Sequence, residues 1–262
     1  MVAKALILLA FLPLLAGAQP ASKVGKLMPM SAPGEIAVAQ NQIDHLIGQL
    51  KSRPSGGDYD LLRSVFRKTE RTFLKRYIPY SNFQELFGTG SFDCLTATAL
   101  FSIILDRLGF QYNIMETNHH IFLVVETTKG QVLLETTDRF DGFVSREREI
   151  KGRIESYRAP ERLTASGSYR FHFELYDRVD PGQLPGLLQF NQAVKAYNRG
   201  NIQKCADYLV DASVCCNSPR IAELAALVIH SLGSSRLDRD SKRHVMEQLN
   251  PLASVPGFLA SL

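Results

Sequence analysis

Apolar positions fall along this chain in blocks of different period, and each block predicts an element. Residues 36–50 predict a short helix. Ser52-Arg53-Pro54-Ser55-Gly56-Gly57 reads as a loop. The next helix starts at a cap on Asp58 or Asp60 and runs through Leu61, Leu62, Val65, Phe66 and Phe73 to Tyr77. Its other face carries Arg63, Arg67, Lys68, Glu70 and Arg71, the pattern of a solvated face. Gly88-Thr89-Gly90-Ser91 breaks the chain. Residues 94–108 are then apolar nearly all round, which predicts a helix in the core, stopped at Gly109.

Strand-like runs follow at 111–116, 120–126 and 131–136, the last two forming a hairpin about Lys129-Gly130. Residues 140–162 are polar and predict nothing definite. Residues 169–176 alternate, with Phe171, Phe173 and Leu175 on one face, and predict a further strand. From Leu184 the pattern is helical to the end. The expected fold class is therefore α+β: a helix bearing Cys94 on an antiparallel sheet, with a helical extension. The phrase Tyr197-x-x-Gly200-x-Ile202-x-x-Cys205-x-x-x-Leu209-x-x-Ala212, with Pro219 beyond it, resembles one tetratricopeptide repeat, in which small residues let two helices pack closely.

The beginning of the chain changes the picture. A short basic start, an apolar run over residues 5–16 too short to cross a bilayer, and Ala16-Gly17-Ala18 predict a signal peptide cleaved near Ala18. The expected organisation is a signal peptide over 1–18 and a mobile leader over 19–34. A catalytic-type domain over 35–183 and a helical extension over 184–262 follow. No later run reaches transmembrane length, so the expected location is periplasmic or extracellular. With 45% hydrophobic and 21% charged residues the chain is globular in composition. Its net charge of +4 is spread out, which gives no footprint for nucleic acid. Cys205, Cys215 and Cys216 read as free thiols, because Cys205 and Cys216 on one helix stand too far apart to bridge.

Cys94 carries the candidate chemistry. It follows a Gly-rich loop and opens a buried helix, where unpaired N–H groups and the helix dipole favour a thiolate and can hold an oxyanion. An imidazole is the usual base for such a thiol. Asn118-His119-His120 begins the following strand, and strand alternation lets only one of the two rings face Cys94. Asp138 closes the next strand and is a candidate to orient that ring. A metal site from His119, His120 and Asp138 is a poor reading, since adjacent strand residues diverge and no fourth ligand is evident.

Three phrases carry a family resemblance: Phe92-Asp93-Cys94-Leu95-Thr96, then Glu116-Thr117-Asn118-His119-His120-Ile121-Phe122-Leu123, then Glu135-Thr136-Thr137-Asp138-Arg139-Phe140-Asp141-Gly142. Together they resemble the bacterial transglutaminase-like cysteine-enzyme superfamily, in the branch whose core is followed by tetratricopeptide-like helices. The likeness spans roughly residues 60–144. It departs at Arg139, where relatives often have Pro.

The resemblance implies a catalytic triad of Cys94, His120 and Asp138. It implies acyl transfer or amide hydrolysis on a protein or peptide substrate through a thioester, without cofactor or metal. Gln84 is a candidate oxyanion donor, and Asn118 a candidate lining residue. The alternative is a non-catalytic binding module of the same fold, docking a partner protein through its C-terminal helices.

Overall fold

The computed structural model describes residues 22–52, 56–117, 120–158 and 176–253. The expected signal peptide lies outside these residues, as do Asn118, His119 and residues 169–175 of the expected alternating strand.

The chain is an α+β protein organised around one helix. That helix, α5 (Cys94–Leu108), buries eleven side chains, from Leu95 to Leu105, so it must be covered on every side. Gly109 ends it in the left-handed conformation at φ 79°. Earlier helices cover part of α5. They are α2 (Pro33–Lys51), with Ala39, Ile43, Leu46, Ile47 and Leu50 facing inward, and α3 (Asp58–Phe73), with Leu62, Val65, Phe66 and Phe73. Between α3 and α5 lie β1 (Arg76–Tyr77), α4 (Glu85–Gly88) and β2 (Ser91–Phe92), with β1 and β2 paired in parallel.

A five-stranded sheet covers another side of α5. It contains β3 (Tyr112–Thr117), β4 (Ile121–Thr127), β5 (Gly130–Leu134), β6 (Phe143–Val144) and β7 (Tyr176–Val179), in the order β6-β5-β4-β3-β7, with every neighbouring pair antiparallel. Strand alternation splits its side chains between two cores. Ile114, Ile121, Leu123, Val125, Val132 and Leu134 join the core around α5. Phe122, Val124, Leu133 and Val144 form a second core under α6 (Glu147–Arg158), which contributes Ile150, Ile154 and Tyr157. Nothing in the apolar pattern announces α6, because this stripe is only three residues on an otherwise polar helix.

The C-terminal helices α7 (Leu184–Asn198), α8 (Ile202–Cys215), α9 (Pro219–Ser231) and α10 (Arg239–Ala253) share the α5 core through residues such as Leu184, Leu187, Leu209 and Val228. A turn at Gly200, φ 72°, joins α7 to α8. At Gly186 a Cβ would lie 2.6 Å from the Cys216 Cβ, so a small residue sets how closely these helices approach.

Several expectations need correction. Residues 22–34 are not a loose leader: α1 (Lys23–Leu27) is capped by Ser22, and Val24, Leu27 and Met28 are buried in the main core. The signal was a short apolar triplet, which composition alone hides. Helix α3 ends at Phe73, and its N-cap is Gly57. Asp58 instead accepts hydrogen bonds from Thr128 N (2.7 Å) and Oγ1 (2.6 Å), tying α3 to the β4–β5 turn. Glu70, placed on a solvated face by its pattern, is 5% exposed. Met28→Ala is expected to cost about 2–5 kcal/mol, the range for a buried methionine. Chemical denaturation measures this, and a loose leader would show no loss.

Candidate active site

The N-terminus of α5 is built by a reciprocal cap. The Asp93 carboxylate accepts from Thr96 N and Thr96 Oγ1, both at 2.8 Å, and Thr96 Oγ1 accepts from Asp93 N at 2.8 Å. The backbone of Ser81 and the side chain of Asn191 on α7 also donate to Asp93, the latter at 3.3 Å. Burial raises the Asp93 carboxyl despite these donors.

Cys94 is the first residue of the helix and is half-buried. Burial pushes its thiol up to about 12, and the nearby Asp93 and Glu135 carboxylates add to the shift. The backbone N–H groups of Ile121 and Leu95 act in the opposite direction and favour the thiolate. The expected activation by the helix terminus is therefore present but outweighed: desolvation of the charged sulfur is the larger effect.

His120 lies immediately before β4. Its Nε2 is hydrogen-bonded to Glu135 Oε2. Its ring lies 4.8 Å from the Tyr157 ring and 6.2 Å from Phe122. Tyr157 Oη donates to the same Glu135 oxygen at 2.7 Å, and Thr137 donates to Oε1 from Oγ1 (2.6 Å) and N (3.1 Å). Burial alone would raise Glu135. The His120 hydrogen bond and charge, with Thr137 and Tyr157, outweigh it and hold the carboxyl well below the usual range. Because Nε2 is taken by Glu135, Nδ1 is the ring nitrogen left for chemistry. Among the described residues no hydrogen bond joins Cys94 to His120.

Asp138, expected to orient His120, does something else. Its Oδ1 accepts from Phe140 N (3.2 Å) and Asp141 N (2.9 Å), and its Oδ2 is paired with Arg153 at 3.2 Å. It shapes a turn. The reason is register. Val124 pairs with Leu133 and Leu123 with Leu134, so even positions of β4 oppose odd positions of β5. Glu135 shares the parity that faces His120 and Phe122, whereas Asp138 has the other parity. The chain also leaves the strand at Glu135, whose N–H donates to Gly142 O at 2.8 Å. A Cβ on Gly142 would lie 2.2 Å from the carbonyl oxygens of Asp138 and Glu135, so this turn closes tightly. Counting parity across the hairpin was the available signal for Glu135.

Gln84 is solvent-exposed at the N-cap of α4. Asn118 lies outside the described residues. From α9, Arg220 donates through Nη2 to Glu116 Oε1 and stands over the Phe190 ring at 5.3 Å. Burial lowers Arg220 to about 10, and the nearness of Cys94 acts the other way. The sequence offered no sign that the helical extension sends a cation toward Cys94. Among the described residues no cluster of His, Cys, Asp and Glu could hold a metal ion, and no helix is long and apolar enough to cross a membrane. Comparison of the chain with protein-family models, curated proteins and solved structures finds no match.

Two outcomes are expected from this geometry. At pH 7 iodoacetamide should modify exposed Cys215 well before Cys94, because a thiol at about 12 is almost entirely protonated there. Peptide mass spectrometry over time measures both; equal rates would contradict the desolvated sulfur. The second outcome concerns Glu70. Burial raises it from 4.5 to about 7, with Asp138 adding to the shift and Arg139 opposing it. Between those values the folded chain holds a proton that the unfolded chain has released, so stability falls as pH rises through this window. Glu70→Gln should match the wild type near pH 5 and melt at a higher temperature near pH 8.

Proposed function

We propose that this chain is a thiol-dependent acyl-transfer or amide-hydrolysing enzyme, with Cys94 as nucleophile, His120 as base and Glu135, in place of Asp138, as the carboxylate that orients His120. The observation that carries the reading is the His120–Glu135 pair, braced by Tyr157 and Thr137, at the head of the strand whose Ile121 N–H points at the Cys94 sulfur.

A thiol held neutral attacks in one way only. Its proton passes to His120 Nδ1 as the sulfur adds to the carbonyl carbon of a carboxamide or peptide bond. The N–H groups of Ile121 and Leu95 stabilise the oxyanion. The departing amine or ammonia takes the proton from His120, leaving a thioester on Cys94. Water or a second amine then attacks the thioester, giving up its proton through His120 to the returning sulfur. Glu135 keeps Nε2 protonated and steadies the imidazolium. The transfer requires the His120 ring to turn from the α6 side of the sheet, where Tyr157 and Phe122 lie against it, toward the sulfur.

The kinship with transglutaminase-like cysteine enzymes belongs to the same proposal. It is supported by the order of a Cys at a helix start, a His at the head of a following strand and an acid at the end of the next. The export reading rests on residues 1–18 and is likewise part of the proposal, with a protein or peptide as substrate. A second reading, a non-catalytic module that binds a partner protein, is favoured by the raised Cys94 thiol and by the lack of a Cys94–His120 hydrogen bond among the described residues.

The test uses a glutamine-containing peptide, with and without a fluorescent primary amine, and follows ammonia or peptide release and amine incorporation. Cys94→Ala should abolish turnover. Glu135→Gln should lower it about 10²–10⁴-fold, as for loss of a positioned proton-transfer group, while Asp138→Asn leaves it within about threefold. Turnover that survives Cys94→Ala would sink the assignment. A wild-type chain with no turnover would favour the binding module.

A further inference from the structure

Tyr80 is the described non-glycine residue with positive φ, at 59°. Such a conformation costs of order 1–3 kcal/mol and persists only where surroundings hold it. Helix α7 supplies that hold. Gln192 Nε2 and Lys195 Nζ both donate to the Tyr80 carbonyl at 3.0 Å. Asn198, at the end of the same helix, lies against the Tyr80 hydroxyl. The next residue, Ser81, is fully buried, donates through Oγ to Ile78 O at 2.7 Å, and turns its backbone N–H to Asp93. Asp93 caps α5 and takes a further bond from Asn191, one turn of α7 before Lys195. One face of α7 thus grips both chain segments that fix where α5 begins.

We infer that α7 is a positioning element of the Cys94 site: Lys195 and Gln192 on the Tyr80 carbonyl, with Asn191 on Asp93, set the place and the dryness of the Cys94 sulfur. The functional meaning of this grip rests on the nucleophile role proposed for Cys94, but the grip itself is measurable without turnover. It makes the C-terminal helices part of the site. They are not only an arm for a partner.

The four cysteines supply the readout. Cys205 on α8 is fully buried and packs in the shared core, so it reports release of the helices as a whole. Cys94 reports the site alone. In the full chain, Gln192→Ala with Lys195→Ala should speed alkylation of Cys94 by iodoacetamide at pH 8 at least about fivefold, the change that roughly 1 kcal/mol of local opening produces. Cys205 should stay protected, and Lys195→Arg should restore the slow rate. If Cys94 and Cys205 accelerate together, α7 merely packs and the inference falls. An unchanged Cys94 rate overturns it as well. Where turnover is present, the double variant should lower kcat more than it raises KM. A Cys94-specific rate change in a chain without turnover would support the positioning role and remove the catalytic reading instead.

Discussion

A helix that is apolar on every side cannot rest on a surface, and α5 imposes that constraint on the whole chain. The sheet covers one side; α2, α3 and α7 must supply the rest. This is why a chain with two visibly different halves, one mixed and one helical, has a continuous core. Each buried leucine or isoleucine of α5 contributes about 1.5–3 kcal/mol through removal from water, so the covering layers are held by the same residues they enclose. The α1 segment joins for the same reason, with Val24 and Met28 closing a gap at the edge.

That burial also sets the chemistry. Opening a core helix with Cys94 gives the sulfur access to backbone N–H groups, and it also takes the sulfur out of water. The two effects oppose each other, and the raised thiol shows which is larger. The pair on the other face of the sheet behaves in the reverse sense. Glu135 is as dry as Asp93, yet Tyr157, Thr137 and His120 supply enough donors to keep it ionised. In the proposed reaction the sulfur would therefore give up its proton as the bond forms, with no standing thiolate–imidazolium pair beforehand.

Much of the fold was legible because periodicity and breakers report local geometry. The core helix ending at Gly109, the hairpin and the C-terminal helices could be read in this way. The acid partner was not, although its position was encoded. Parity across a two-residue hairpin puts Glu135 with His120, whereas nearness to the strand end and family likeness both favoured Asp138. Helix α6 was hidden because its apolar stripe is only three residues in a run dominated by charged side chains. Glu70 misled because it is buried within reach of the Asp138 and Arg139 charges, a tertiary setting that no pattern along α3 reports. The grip of α7 on Tyr80 joins residues more than a hundred positions apart, beyond any local signal.

The turn after Glu135 has a consequence for how this molecule can diversify. Its two ends are locked together, Glu135 to Gly142, with no room for a side chain at Gly142. At its tip Arg153 holds the Asp138 carboxylate and the Asp141 carbonyl, while the Phe140 side chain is 89% exposed. Phe140 can therefore be exchanged without disturbing the Glu135–Gly142 lock. That separation makes Phe140 the place where this turn best tolerates change, and a natural point at which to graft a longer loop.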